Sequence, residues 1–237
     1  MKRDAIVVFA KEAIPGRVKT RLTPELSDEE AATLYRAFAG DILEMVAGFG
    51  QASAHREPYL AWSGSREGRI ARQGEGLGFS FIDQGEGDLG DRLKKVFEEL
   101  RHSNVDRVVV IGTDSPSLSK EHLETAFLEL RFQEVVLGPS FDGGYYLVGA
   151  DFNKTRKGEL ERALFEEISW STGEVLVQTW ERLKRAGVLC ELLGFWYDVD
   201  TVEDLERLRF HLKYLASREE KIGTRTREAL HQLKYWH

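Results

Sequence analysis

The chain reads as an α/β domain built on a largely parallel sheet, and three observations carry that reading. Apolar runs of strand length alternate with amphipathic helical segments along most of the sequence. One run, Val105 to Ile111 (VDRVVVI), is nearly continuous and β-branched, the pattern of a central parallel strand covered on both faces. The first run, Ala5 to Val8, leads through a polar loop into a long helix, a complete strand, loop and helix unit. With 237 residues, 42% hydrophobic and 31% charged, the chain can bury a substantial core in one large domain. No internal repeat or low-complexity linker divides it. The expectation is a single domain over 1–237, with 217–237 a charged, loosely docked helical tail.

The opening loop, Phe9 to Leu22 (FAKEAIPGRVKTRL), crowds Lys11, Arg17, Lys19 and Arg21 together with Pro15 and Gly16. Cations placed directly after a buried strand are costly unless an anion sits there, and open α/β sheets bind ligands at the carboxyl ends of their strands. A polyphosphate fits, held by ammonium and guanidinium groups beside backbone N–H groups. A solvated basic loop is the plain alternative. The loop is not a Walker A motif, because Val18 precedes Lys19 and Ala13 stands at the outer glycine position.

Further along, Ser27 to Glu30 forms a capping box before Leu34, Phe38, Ile42, Met45 and Val46, which recur at helical spacing. Pro58 to Trp62 reads as the second strand, Arg66 to Arg72 as a short polar helix, and Phe79 to Ile82 as the third strand. Gln84 to Arg92 follows, where three glycines, Gly85, Gly87 and Gly90, mark backbone lying close to something. A helix from Leu93 to Leu100 returns the chain to Val105 to Ile111, which delivers Gly112-Thr113-Asp114-Ser115-Pro116. An acid at the carboxyl end of a central strand suits a metal better than it suits stability.

Leu123, Phe127 and Leu130 outline another helix, and Val135 to Leu137 a strand leading into Gly138 to Gly144, with Tyr145 to Val148 behind it. Gly143-Gly144 admits a plain hairpin, yet Asp142 again stands at a strand end. Ser171 to Glu174 reads as a second capping box for a helix through Val175, Leu176, Trp180 and Leu183, and Val188 to Leu193 as a strand. Thr201 explains itself as the cap of a helix bearing Leu205, Leu208 and Leu212. Asp198 and Asp200 do not, since two acids one residue apart repel unless a cation or donors separate them.

Composition removes other classes. The net charge of -7 argues against nucleic acid as a bulk partner and makes the basic loop a local feature. Cys190 alone allows neither an intrachain disulfide nor a cysteine zinc cluster, and its apolar neighbours suggest a buried thiol. His55, His102, His122, His211, His231 and His237 show no ligand spacing, and no serine sits in a G-x-S-x-G elbow. No apolar run is long enough for a membrane span and no signal-peptide pattern opens the chain, so a cytoplasmic address is expected.

In this order, FAKEAIPGRVKTRL, QGEGDLGDRL, IGTDSP, GPSFDGGYYLVG and YDVDTVEDL resemble the DUF2064 family of GT-A-type transferases. That family is similar in turn to nucleotidylyltransferases such as the molybdenum-cofactor and phospholactate guanylyltransferases. The resemblance runs from about Ala5 to Leu212. It implies a three-layer α/β/α, Rossmann-like GT-A fold of the nucleotide-diphospho-sugar transferase type, with a mostly parallel mixed sheet and a nucleotide in the crevice of its first half. Phe9, Ala10, Lys11, Gly16, Arg17, Lys19 and Arg21 would embrace the phosphates, and Gln84, Gly85, Gly87 and Gly90 would border the base, with Thr113 beside them. Asp114 matches the metal-binding aspartate, and the second acidic position falls on Asp200 with Asp198 as neighbour, for Mg²⁺ or Mn²⁺. Asp142, Gly143 and Gly144 would face the acceptor.

The resemblance implies transfer of a nucleotidyl group to a small phosphorylated or acidic acceptor, with Lys19, Arg21, Asp114 and Asp142 as the catalytic candidates. Two departures stand out: only Gly16 lies between Lys11 and Arg21 where such enzymes carry a glycine-rich loop, and Pro116 denies Asp114 a full Asp-x-Asp. The rival readings are glycosyl transfer from a nucleotide-sugar, with Asp142 as base and Tyr145, Tyr146 and Trp170 lining a sugar subsite, and nucleotide binding without turnover. The expected partners are a nucleotide and a small molecule, with neither nucleic acid nor membrane.

Overall fold

The computed structural model describes residues 3–23 and 25–235. Its strands are β1 (Asp4–Lys11), β2 (Arg56–Ser63), β3 (Ser80–Asp83), β4 (Arg107–Ile111), β5 (Val135–Pro139), β6 (Tyr145–Asp151) and β7 (Cys190–Leu192). They form one sheet in the order β3-β2-β1-β4-β6-β5-β7, parallel except for β6, which runs antiparallel to both β4 and β5. The helices are α1 (Asp28–Gln51), α2 (Arg69–Gly76), α3 (Leu89–His102), α4 (Lys120–Glu129), α5 (Glu159–Phe165), α6 (Val175–Arg185), α7 (Val202–Ser217) and α8 (Thr224–Gln232). Among the described residues no helix is long and apolar enough to cross a membrane.

Alternation along β1 explains the three layers. Ile6 and Val8 enter a core shared with Ile42, Val46 and Leu123 of α1 and α4, while Ala5 and Val7 face Val96, Phe97 and Leu164 of α3 and α5. A third apolar cluster lies on the outer side of α1. There Leu22 of the opening loop, Leu26 just before α1, and Leu34 and Phe38 of α1 pack on Val199, Leu205, Leu208 and Leu230. That cluster carries the functional consequence, because it presses the first loop against the segment entering α7.

The sheet order also places the crevice. From β1 the chain winds outward through β2 and β3, then returns to lay β4 on the other side of β1. The loops leaving β1 and β4 therefore diverge, and a gap opens at their carboxyl ends, the usual ligand position in such sheets.

Several local expectations shift for identifiable reasons. Helix α3 begins at Leu89 rather than Leu93, because Asp88 Oδ1 accepts from the Asp91 amide at 2.9 Å and Asp91 returns a bond to the Asp88 amide. The polar helix after β2 starts at Arg69 rather than Arg66. The Ser171–Glu174 capping box does not form: Ser171 lies at φ +63° and α6 starts without a side-chain cap. The strand expected from Val188 shortens to Cys190–Leu192, and burial pushes the Cys190 thiol up to about 12. Ser140 to Gly144 is indeed a hairpin turn, since β5 and β6 pair directly.

The C-terminal region is anchored more firmly than its charge suggests. Gly223 leaves α8 without a side-chain cap of its own, and Asp41 of α1 supplies one from outside, accepting from Arg225 N (2.9 Å), Thr226 N (2.8 Å) and Thr226 Oγ1 (2.6 Å). Residues 236 and 237 of the expected tail lie outside the described residues. Asp41→Ala should lower stability by about 2 kcal/mol in urea unfolding and speed amide exchange over 224–232. Unchanged exchange there would show that the apolar contacts alone hold the helix.

Candidate functional site

The gap at the divergence of β1 and β4 is a cleft of about 780 Å³. Its floor is the end of β1, Phe9 and Ala10, and of β4, Val110 to Thr113. Tyr35 of α1 joins the two: its hydroxyl accepts from the Lys11 amide and from Thr113 Oγ1, each at 3.2 Å. Thr113 is thus turned toward α1 and buried. Gln84 locks the neighbouring strand ends, giving one amide donor to Ala10 O at 3.0 Å and the other to Ala61 O at 2.8 Å. With both donors used, only its side-chain oxygen is left for a ligand.

One side of the cleft is cationic. Lys11 and Arg21 are exposed, line the cleft, and form no ion pair among the described residues. Arg92, in the first turn of α3, joins them, with Nε on Gly87 O at 3.1 Å. Gly16 and Arg17 stand at the outer bend of the loop and do not line the cleft.

The other side is acidic. Asp114 follows β4, and its carbonyl accepts from the Val199 amide at 2.9 Å, which fixes residues 198–200 alongside it. Asp198 accepts from Ser115 Oγ at 2.5 Å; burial pushes its carboxyl up to about 6, opposed by that hydrogen bond and reinforced by the charges of Asp114 and Asp142. Asp142 binds within its own hairpin, accepting from Gly144 N at 2.9 Å and from Ser140 Oγ. Gly143, at φ +88°, abuts the Gly173 backbone so closely that a Cβ would overlap it.

Behind the acidic side lies Lys19. Its ammonium donates to Val199 O at 2.7 Å and Asp200 Oδ1 at 2.9 Å, and pairs with Asp114 Oδ1. The lysine side chain is 3% exposed, whereas the carboxylates of Asp114 and Asp200 are 45% and 44% exposed. Burial opposes the charge, but the two acids outweigh it and raise the Lys19 pKa. Its backbone is left-handed, at φ 49° and ψ 37°, an uncommon state for a residue with a Cβ. Two costs, burial and backbone strain, thus coincide at one residue.

Sequence-predicted residues therefore divide by position. Phe9, Ala10, Lys11, Arg21, Gln84, Thr113, Asp114, Asp142, Gly144, Asp198 and Asp200 line the cleft, and Lys19 lies behind its acidic side. Gly85 and Gly87, with φ of +77° and +98°, shape the turn before α3 without lining it. Gly90 is inside α3, where a Cβ would meet the Trp170 ring and the Phe165 carbonyl, so close packing accounts for it. Sequence reasoning missed Tyr35, Arg92 and the Ser171 to Gly173 loop, all of which line the cleft. Tyr35 had a signal, a hydroxyl inside the apolar stripe of α1.

For a metal, the donor chemistry fits in part. Asp114 and Asp200 offer hard oxygens on one cation position, as Mg²⁺ or Mn²⁺ requires when substrate phosphates and waters complete the shell. Among the described residues no group of three or more His, Cys, Asp or Glu is arranged to hold an ion by itself. Asp198 is turned to Ser115 instead.

Replacing both Asp114 and Asp200 by Asn would leave the buried ammonium with neutral acceptors only and no compensating charge. The expected loss is about 3 kcal/mol by urea unfolding, the low end for a broken buried pair because both acids are half-exposed. Adding Lys19→Met should recover most of it. A triple variant no more stable than the double would show that ion pairing does not hold the lysine.

Comparison with known proteins places this architecture. A structure from Desulfovibrio desulfuricans G20, named as a presumed nucleotide-diphospho-sugar transferase, superposes with a TM-score of 0.82 at 31% identity, covering 100% of this chain and 99% of that one. The 4-diphosphocytidyl-2C-methyl-D-erythritol synthase of Anaerococcus prevotii DSM 20548 shares the fold at TM-score 0.58 and 14% identity, over 90% of this chain and 96% of its own. So does a CMP:2-keto-3-deoxy-manno-octonic acid synthetase complexed with CTP, at TM-score 0.52 and 14% identity, over 90% and 99% of the two chains. In sequence, 131 residues are 28% identical to 2-phospho-L-lactate guanylyltransferase of Methanocaldococcus sp. (strain FS406-22), spanning 55% of this chain and 52% of that protein. The chain thus matches about half the length of this curated relative. The fold is that of the nucleotidyltransferase and GT-A-like proteins. The profile described as "Uncharacterized protein conserved in bacteria (DUF2064)" matches residues 49–172, more than half of the chain, and the protein belongs to that family.

Proposed function

We propose that the protein is a nucleotidylyltransferase that joins a nucleoside triphosphate to a small phosphorylated or acidic acceptor. The observation that carries this reading is the charge layout of the cleft: Lys11 and Arg21, without an ion pair among the described residues, face Asp114 and Asp200 across the divergence of β1 and β4. A polyphosphate with its divalent ion satisfies both sides at once. The 31%-identical structure and the guanylyltransferase relative support a nucleotide-dependent transfer.

In this reaction an acceptor oxygen attacks the α-phosphorus, a P–O bond forms, and the α–β P–O bond breaks to release pyrophosphate. An anionic acceptor needs no general base, so alignment and charge neutralisation are the main tasks. Asp114 and Asp200 would hold Mg²⁺ or Mn²⁺, which when bound neutralises phosphate charge. Lys11, Arg21 and Lys19 would bind the phosphates, and Arg21 and Lys19 would stabilise the charge on the departing pyrophosphate. The acceptor would enter beside the Asp142 hairpin, where Gly143 and Gly144 keep the turn small.

Glycosyl transfer from a nucleotide-sugar is the second reading, and one observation favours it: Tyr145, Tyr146 and Trp170 all line the cleft near Asp142. Thermal shift separates the two. Triphosphates with Mg²⁺ should stabilise a nucleotidylyltransferase, and nucleotide-sugars a glycosyltransferase.

Supplied with Mg²⁺, each triphosphate and a panel of phosphorylated acids, the purified protein should release pyrophosphate. Asp114→Ala should lower kcat/KM by about 10²-fold or more and Arg21→Ala by about tenfold. Absence of pyrophosphate with every combination, together with stabilisation by nucleotide-sugars alone, would transfer the assignment to the second reading.

A further inference from the structure

The ammonium of Lys19 has three N–H donors and three acceptors: Val199 O, Asp200 Oδ1 and Asp114 Oδ1. As it stands, nothing is left over for a phosphate. The same two carboxylates converge on one point, and both keep nearly half their surface exposed while lining the cleft. A divalent ion bound through Asp114 Oδ1 and Asp200 Oδ1 would compete with the ammonium for the same two oxygens and be repelled by its charge. The two cations are therefore alternatives.

We propose that Lys19 is a placeholder cation. In the nucleotide-free protein its ammonium holds Asp114 and Asp200 together and keeps the acidic side from recruiting a divalent ion on its own. An incoming polyphosphate offers the ammonium new oxygen acceptors; Lys19 then moves onto the phosphate and leaves both carboxylates to the ion that the nucleotide carries. Lys19 has a left-handed backbone and stands directly ahead of the short turn Thr20–Leu22, whose Arg21 lines the cleft. Besides binding phosphate, Lys19 thus makes metal loading follow nucleotide binding. This inference rests on the nucleotide reading of the cleft.

The test is a titration of Mn²⁺ alone, followed by the electron paramagnetic resonance of the free ion. Wild-type protein should bind weakly. Lys19→Gln should bind about tenfold tighter or more, Lys19→Arg should stay near wild type, and Lys19→Gln with Asp114→Asn should lose the gain. Equal or weaker binding by Lys19→Gln overturns the proposal. If that variant does not fold, the wild type decides: micromolar Mn²⁺ affinity without nucleotide overturns the placeholder, millimolar affinity that inorganic tripolyphosphate tightens beyond the Mn²⁺ complexation it shows without protein supports it, and no tightening beyond that blank overturns it. The Mn²⁺-only titration involves no turnover, so it can fail while the pyrophosphate assay succeeds, and the reverse.

Discussion

A buried ammonium held by acids from two distant parts of the chain is the constraint on which the site depends. Lys19 belongs to the first loop, Asp114 to the loop after β4, and Val199 and Asp200 to the approach to α7. None can be placed without the other two. A lysine this deeply buried is tolerable only when every donor is satisfied and opposite charge is adjacent. The surrounding fold must therefore deliver three segments to one point with hydrogen-bond accuracy.

Two features of the architecture do this. The parallel pairing of β1 with β4 sets the carboxyl ends of both strands side by side, and Tyr35 ties Lys11 at the end of β1 to Thr113 just beyond β4. On the outer side of α1, Leu22, Phe38, Val199 and Leu205 bury one another, so hydrophobic packing closes the first loop against the start of α7. The α8 helix, held by Asp41, extends that packing. The C-terminal helices, remote in sequence from the opening loop, thus contribute to the position of its lysine.

The result is a cleft with charge of both signs and little cross-pairing. Among the described residues Lys11 and Arg21 form no ion pair with a carboxylate, while the acids crowd closely enough that burial and its neighbours push Asp198 up to about 6. Such an arrangement is poor for stability and suited to a ligand carrying its own charges of both signs. Asp142 differs from the other acids, because its bonds to Ser140 and Gly144 make it a part of its own turn.

Much of this was legible in the amino-acid order. Strand and helix types follow from hydrophobic period and capping residues, as with β4 in VDRVVVI and α1 behind Ser27, and the motifs around Lys19, Asp114 and Asp200 identified the fold class and the residues that meet. What the order could not show is how they meet. Whether Lys19 faces phosphate or carboxylate, whether Asp198 points with Asp200 or toward Ser115, and whether Gly90 serves a ligand or the Trp170 ring are decided by contacts between segments far apart in the chain. Local chemistry fixes what a residue can bind. Only the packing of distant segments, which sets distances and removes water, determines which of those partners it has.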